Sequence, residues 1–128
     1  MIQHIDGIFV FESKLHGLGV FCAEDIQNGS LIEICPVIQL NEIDVQSILK
    51  TTLNNYYFEW GEALKKGAIA LGYGSLYNHS YDANARYEID LKFNTISIYA
   101  CKDISAYKEI TINYNGRPDD KTKVWFEQ

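Results

Sequence analysis

Fifteen residues, Leu71 to Ala85, constrain this chain more than any others; they read LGYGSLYNHSYDANA. The left half is apolar and carries Gly72 and Gly74, whose missing Cβ lets backbone pack closely against a neighbour. The right half is polar. Ser80, Asp82 and Asn84 can each bond nearby backbone and so favour turns. A buried apolar segment therefore runs straight into a polar turn holding Asn78-His79-Ser80. Binding chemistry concentrates on such turns when a rigid scaffold presents them.

The rest of the chain is punctuated like a small β protein. Ile8 to Phe11 is apolar and aromatic and predicts a strand. Val20 to Ala23 predicts its partner, with Gly17-Leu18-Gly19 as the hairpin turn. Asn28-Gly29 is a sharp turn signal. Ser30 to Cys35 then alternates outward and inward, and Pro36 marks the expected end of that strand. Asn41, with Asp44 three residues on, is placed to cap a short helix whose apolar Val45, Ile48 and Leu49 share a face. Tyr56, Tyr57, Phe58 and Trp60 form an aromatic segment, followed by a charged loop over 61–67. Strands are expected at Ala68 to Leu71, Ala85 to Ile89, Thr95 to Ala100 and Ile110 to Tyr114. In the third of these Ile96, Ile98 and Ala100 fall on one face. Arg117 to Lys121 reads as a solvated loop and Val124-Trp125-Phe126 as an apolar tail. The fold class is mainly β with one or two short helices, in one domain spanning 1–128.

Composition excludes several functions. The net charge is −6, from 11 Lys and Arg against 17 Asp and Glu. That argues against direct nucleic-acid binding, which needs a basic face, and suits a basic, lysine-bearing partner. No run of about 18 apolar residues exists, so no membrane span is expected. The first residues lack the basic and apolar regions of a signal peptide. Cys22, Cys35 and Cys101 make no C-x-x-C, which supports neither a zinc knuckle nor a redox pair and fits a reducing compartment. A soluble, intracellular protein is expected. A hydrolase built on Ser80 and His79 is disfavoured, because adjacent residues rarely face each other and no Gly-x-Ser-x-Gly elbow occurs.

Three pieces occur in order: Gly17-Leu18-Gly19-Val20-Phe21, then Asn78-His79-Ser80, then Glu109-Ile110-Thr111-Ile112-Asn113-Tyr114. Together they resemble the SET-domain family of protein-lysine methyltransferases, and most nearly the minimal SET proteins of viruses and bacteria. The resemblance runs from about Phe9 to Gly116, which sets a core of about 9–116. It implies a SET-domain fold of several small β-sheets with a threaded C-terminal segment. It also implies S-adenosylmethionine as cofactor, S-adenosylhomocysteine as product, no metal, and a lysine-bearing protein or peptide as substrate, with histones among the candidates. The expected state is a monomer or homodimer.

Residue by residue, the resemblance lays the backbone of Gly17, Leu18 and Gly19 against the cofactor. Asn78 holds it through its side-chain amide and His79 mainly through its backbone. Tyr114 is the implied catalytic tyrosine, with its hydroxyl close to the transferring methyl and in reach of the cofactor. Tyr56 and Tyr87 are implied walls of the lysine channel, and Glu109 is given a structural role. Ile112, two residues before Tyr114, lacks a hydroxyl and so leaves room for further methyl groups. The pattern departs at Ala83, where the family has Pro, and at Tyr107-Lys108-Glu109, where it has Gly-Glu-Glu. No cysteine-rich zinc segment follows Tyr114. The tail 117–128, with Trp125 at its apolar centre, is therefore the candidate lid over the cofactor.

Such chemistry needs little from acids and bases. Transfer of a methyl from sulfonium to amine is an in-line displacement in which positioning is the main lever. An apolar channel beside a positive sulfonium lowers a lysine pKa by desolvation and like-charge repulsion. The competing reading, from a different class, is a non-catalytic SET-fold module that holds cofactor or a lysine-bearing peptide. Retention of Tyr114, Asn78 and Gly17-Leu18-Gly19 favours the enzyme.

Overall fold

Alternating apolar positions, bounded by Gly, Asn and Asp turns, fold into nine strands and one α-helix among the residues described by this computed structural model, 3–61, 65–118 and 120–124. The strands are β1 (Ile8–Glu12), β2 (Leu18–Cys22), β3 (Leu31–Leu40), β4 (Tyr57–Trp60), β5 (Lys66–Ala70), β6 (Asn78–His79), β7 (Ala85–Asp90), β8 (Thr95–Ala100) and β9 (Glu109–Ile112). They form two sheets, in the orders β1-β2-β9-β6 and β4-β5-β3-β8-β7. Helix α1 (Glu42–Ile48) starts where the sequence places it. Asn41 Oδ1 accepts from Asp44 N at 2.8 Å, and Asp44 Oδ2 accepts from Asn41 N at 3.1 Å. This reciprocal capping box satisfies two backbone donors that the first turn leaves open.

The first hairpin turns earlier than expected. Its loop closes at Ser13 N to Gly17 O, 2.8 Å, and Leu18 and Gly19 already pair with Glu12 and Phe11. Gly17 takes φ +48°, the left-handed conformation that ends the loop. Strand β3 also departs from expectation, because it runs through Pro36. Its first half pairs with β8 and its second half with β5, and the β8 ladder ends at Pro36 opposite Thr95. The missing N–H of Pro36 thus falls where no further ladder bond is required. A register shift between Leu31 and Glu33 breaks the simple alternation of β3, so that Ile32 and Glu33 are both buried.

The last strand is the organising element. β9 lies between β2, antiparallel, and β6, parallel. Asn84 binds across it: its Nδ2 donates to Glu109 O at 2.9 Å and its Oδ1 accepts from Thr111 N at 2.8 Å. The strand stops at Ile112, short of the expected Tyr114. Buried Asn113 turns the chain instead, its Oδ1 accepting from Asn115 N and its Nδ2 donating to Asp120 O.

Val20, Ile32, Ile96, Ile98, Ile110 and Ile112 are fully buried in one core with Tyr77. Each such apolar side chain contributes about 1.5–3 kcal/mol over its exposed state. Cys22 in β2 and Cys35 in β3 are buried, and burial pushes both thiols up, which makes them inert packing groups. Among the described residues, no helix is long and apolar enough to cross a membrane.

Candidate active site

Leu71 and Gly72 are exposed, and the buried part of the Leu71–Ala85 stretch begins at Gly74. A Cβ on Gly74 would meet Ala70 Cβ at 2.5 Å and Cys35 Sγ at 2.8 Å. This close approach seats a 3-10 turn, Gly74–Leu76, and delivers Tyr77 and Asn78 into the interior at 1% and 5% exposure.

Asn78 ties the glycine hairpin to β9. Its amide nitrogen lies 3.0 Å from His16 O, 3.0 Å from Leu18 O and 2.8 Å from Glu109 Oε2. Glu109 Oε1 in turn accepts from Ser13 Oγ at 2.7 Å. A Cβ on Gly19 would overlap the Glu109 carboxylate and stand 3.0 Å from Asn78 Nδ2, so only glycine fits beneath this bridge. The Asn78 amide nitrogen, expected to hold the cofactor, bonds the hairpin carbonyls and the Glu109 carboxylate. Gly17 presents bare backbone on the other side, where the space a Cβ would enter is bounded by the Tyr56 hydroxyl, 3.9 Å away.

Tyr114 joins this loop to a second feature. Its backbone N–H donates to His79 Nδ1 at 3.0 Å, which places the proton of the neutral ring on Nε2. Its hydroxyl donates to Tyr77 O at 3.0 Å. His79 is therefore used through its ring as well as through its backbone, which pairs with Ile112. The Tyr114 phenol borders a cleft of about 580 Å³ walled by Tyr56, Tyr57, Phe58, Tyr77 and Tyr87. Phe58 and Tyr87 meet edge to face at 5.1 Å between ring centres. Tyr87 Oη lies 3.5 Å from Tyr114 O. Aromatic walls of this kind suit an alkyl-ammonium chain through apolar and cation–π contact.

Burial, with smaller effects from Tyr56 and Glu109, pushes the Tyr114 phenol up to about 12. Burial, and after it Glu59, does the same for Tyr87, also to about 12. Both are neutral phenols near pH 7 and serve as hydrogen-bond donors, not bases. The unfolded chain ionises its tyrosines first, at about 10. The stability these two groups contribute is therefore complete below that value and is lost as the pH rises through about 12. The melting temperature is expected to fall across that window, and less steeply in Tyr87→Phe. Equal slopes for the two proteins would contradict the burial of this phenol.

Of the residues singled out from sequence, Tyr56, Tyr87 and Tyr114 share the cleft. Gly17, Leu18, Gly19, Asn78 and His79 cluster through the loop and β9, with Tyr114 linking the two groups. Trp125 lies outside the described residues. Ile112 is fully buried in the core and is not among the described residues that line the cleft. Sequence reasoning missed Tyr77 and Glu59, which both line the cleft; Thr122 to Val124, within the tail expected to cover the site, line it as well. Tyr77 had a signal, an aromatic residue directly before Asn78. Among the described residues, no group of three or more His, Cys, Asp or Glu is placed to hold a metal ion.

A β domain in which an Asn-His strand runs parallel to the last strand, beside a glycine hairpin and a buried tyrosine, belongs to a definite class. Residues 17–115 match the SET domain family, and the chain belongs to that family. It is similar to a Schizosaccharomyces pombe protein, histone-lysine N-methyltransferase, H3 lysine-37 specific, at 32% identity over 117 residues, covering 91% of this chain and 74% of that protein. It is also similar to a variant-silencing SET domain-containing protein of Plasmodium falciparum, at 32% identity, covering 77% of this chain and 4% of that protein. Among solved structures, a Plasmodium falciparum protein described as a candidate histone methyltransferase superposes with TM-score 0.68 at 35% identity, covering 88% of this chain and 95% of the other. The fold is shared with ctPRC2 in an autoinhibited conformation bound to S-adenosylmethionine, at TM-score 0.70 and 22% identity, over 84% of this chain and 15% of that one.

Proposed function

We propose that this chain is a protein-lysine methyltransferase that uses S-adenosylmethionine, with a histone or histone-like tail as substrate. The observation that carries the reading is the Tyr114 hydroxyl, anchored to Tyr77 O at the junction of an aromatic cleft and a glycine hairpin. Similarity to a histone-lysine methyltransferase over 91% of the chain supports it. The bare backbone at Gly17 and the phenol and carbonyl oxygens at Tyr114 and Tyr77 fit a sulfonium cofactor, because they offer electron-rich atoms without a competing Cβ. When bound, that cofactor supplies an activated methyl group.

The chain's own residues do the rest. Gly17, Leu18 and His79 shape the cofactor side, the hairpin held by Asn78 and Glu109 and the His79 ring by the Tyr114 backbone N–H. Tyr56 and Tyr87 wall the lysine side and exclude water from it. Desolvation there favours the neutral amine. Tyr114 orients the reacting groups from its fixed hydroxyl, by contacts of the weak C–H···O kind. No metal is required by these roles. A histone-like substrate places the protein inside the cell, in the nucleus where one exists.

The test is transfer of radiolabelled methyl from S-adenosylmethionine to core histones by the purified chain, with the labelled residue located by mass spectrometry. Label on lysine is expected. Cofactor binding by calorimetry with no transfer to any lysine-bearing protein would replace the enzyme with the binding module.

A further inference from the structure

Glu33 is a carboxyl side chain at 2% exposure near the start of β3, and the reaction as derived does not use it. None of the ion pairs formed among the described residues includes it. A buried acid without a cation is costly unless its oxygens are hydrogen-bonded. Here both are. Oε1 accepts from the Tyr77 hydroxyl at 2.8 Å, and Oε2 accepts from Tyr73 N at 3.0 Å. The turn from Gly72 to Tyr77 is wrapped around this carboxyl. Gly72 takes φ +64°, and a Cβ there would overlap Glu33 Oε2. The shift of register that turns Glu33 inward is itself local to this point of β3.

The same turn ends at the carbonyl that matters. Tyr77 is gripped at its phenol by Glu33, and its carbonyl oxygen receives the Tyr114 hydroxyl at 3.0 Å. Moving one end of a fully buried residue moves the other. We infer that Glu33 is a positioning residue for Tyr114: through the Tyr77 side chain it fixes the carbonyl that aims the Tyr114 hydroxyl into the cleft. The inference rests on the methyltransferase reading for its kinetic consequence, but the link itself is a property of the folded chain. Burial and the neighbouring Glu33 also hold the Tyr77 phenol in its protonated, donating form.

The experiment uses Tyr77→Phe, Glu33→Gln and Glu33→Ala, each alone and combined with Tyr114→Phe. Tyr77→Phe removes the hydroxyl and keeps the ring and its packing, whereas Glu33→Ala opens a cavity in the core. It is expected to lower kcat about ten- to a hundredfold, as a misplacement remote from the chemistry does, with KM for the cofactor unchanged. Glu33→Gln can still accept from Tyr73 N and donate to the Tyr77 oxygen, and should recover most of the rate that Glu33→Ala loses. In the Tyr114→Phe background neither Tyr77→Phe nor Glu33→Ala should lower the residual rate further, because the hydroxyl they aim is gone. The ring-carbon NMR signal of Tyr114, assigned by its loss in Tyr114→Phe, should move in Tyr77→Phe without substrate present. An unmoved signal, losses that stay additive in the Tyr114→Phe background, or wild-type kcat in folded Tyr77→Phe would each overturn the positioning role. Absence of methyl transfer by the wild-type chain would count against the methyltransferase reading instead, and the NMR result would still decide the link.

Discussion

Tyr114→Phe is expected to lose turnover on the order of 10²-fold or more while the fold and most of the cofactor affinity remain, since only a positioned hydroxyl is removed. The substitution takes away one hydrogen bond, to Tyr77 O at 3.0 Å. It keeps the ring against His79, 5.1 Å between centres, and the backbone bond from Tyr114 N to His79 Nδ1. The structural cost is one unpaired carbonyl at a partly buried position, about 1 kcal/mol. A phenol pushed up to about 12 is no base near neutrality, so its loss acts through orientation and charge, not through proton transfer. Single-turnover methyl transfer and calorimetry on the same preparation separate the two effects. Rate and affinity falling together would mean that the hydroxyl holds cofactor. A folded mutant turning over at the wild-type rate would remove it from the reaction.

Much of this architecture was legible because local rules and tertiary packing agree. The Asn41–Asp44 capping box, the Asn28-Gly29 turn and the alternation of Ile96, Ile98 and Ala100 appear where the residues place them. So do Tyr56, Tyr87 and Tyr114 at one cleft, although that grouping came from resemblance and not from periodicity. What was illegible depends on long-range pairing. Pro36 looks like a strand end until β3 is seen to change partners there. Glu33 reads as one more polar residue in an alternating strand, and only the register shift turns it inward. The last strand ends two residues before the position its β-branched run predicts, because nothing local shows that Asn113 will close a turn with Asp120 and Asn115. The hairpin turns earlier than its glycines suggest for a similar reason: Leu18 and Gly19 are held in β2 by pairing with Glu12 and Phe11.

Asn78→Ala is expected to damage stability and cofactor binding together. At 5% exposure its amide nitrogen serves His16 O, Leu18 O and Glu109 Oε2 at 3.0, 3.0 and 2.8 Å. Alanine withdraws the donors but leaves the acceptors in place, including a carboxylate that among the described residues then keeps Ser13 Oγ. Orphaned acceptors at these part-buried positions cost about 1–3 kcal/mol, more where one is charged. For a domain of this size that is a fall in Tm on the order of 10 °C. The loop from Ser13 to Gly17 loses the Asn78 part of its tie to β9 and keeps the bond from Ser13 to Glu109, so cofactor affinity should fall even where the protein is fully folded. Asn78→Asp gives the sharper result. It preserves shape but sets a second carboxylate against Glu109, and like charges at hydrogen-bond distance repel. It should be less stable than Asn78→Ala above the carboxylate range and recover toward it as the pH falls and one acid takes up a proton. Thermal melts of the three proteins across that range, with calorimetric titration of S-adenosylmethionine well below each Tm, test both parts. Wild-type affinity in folded Asn78→Ala would separate the hairpin from the cofactor site. An Asn78→Asp melt indistinguishable from wild type at neutral pH would mean that the Asn78–Glu109 contact carries no weight.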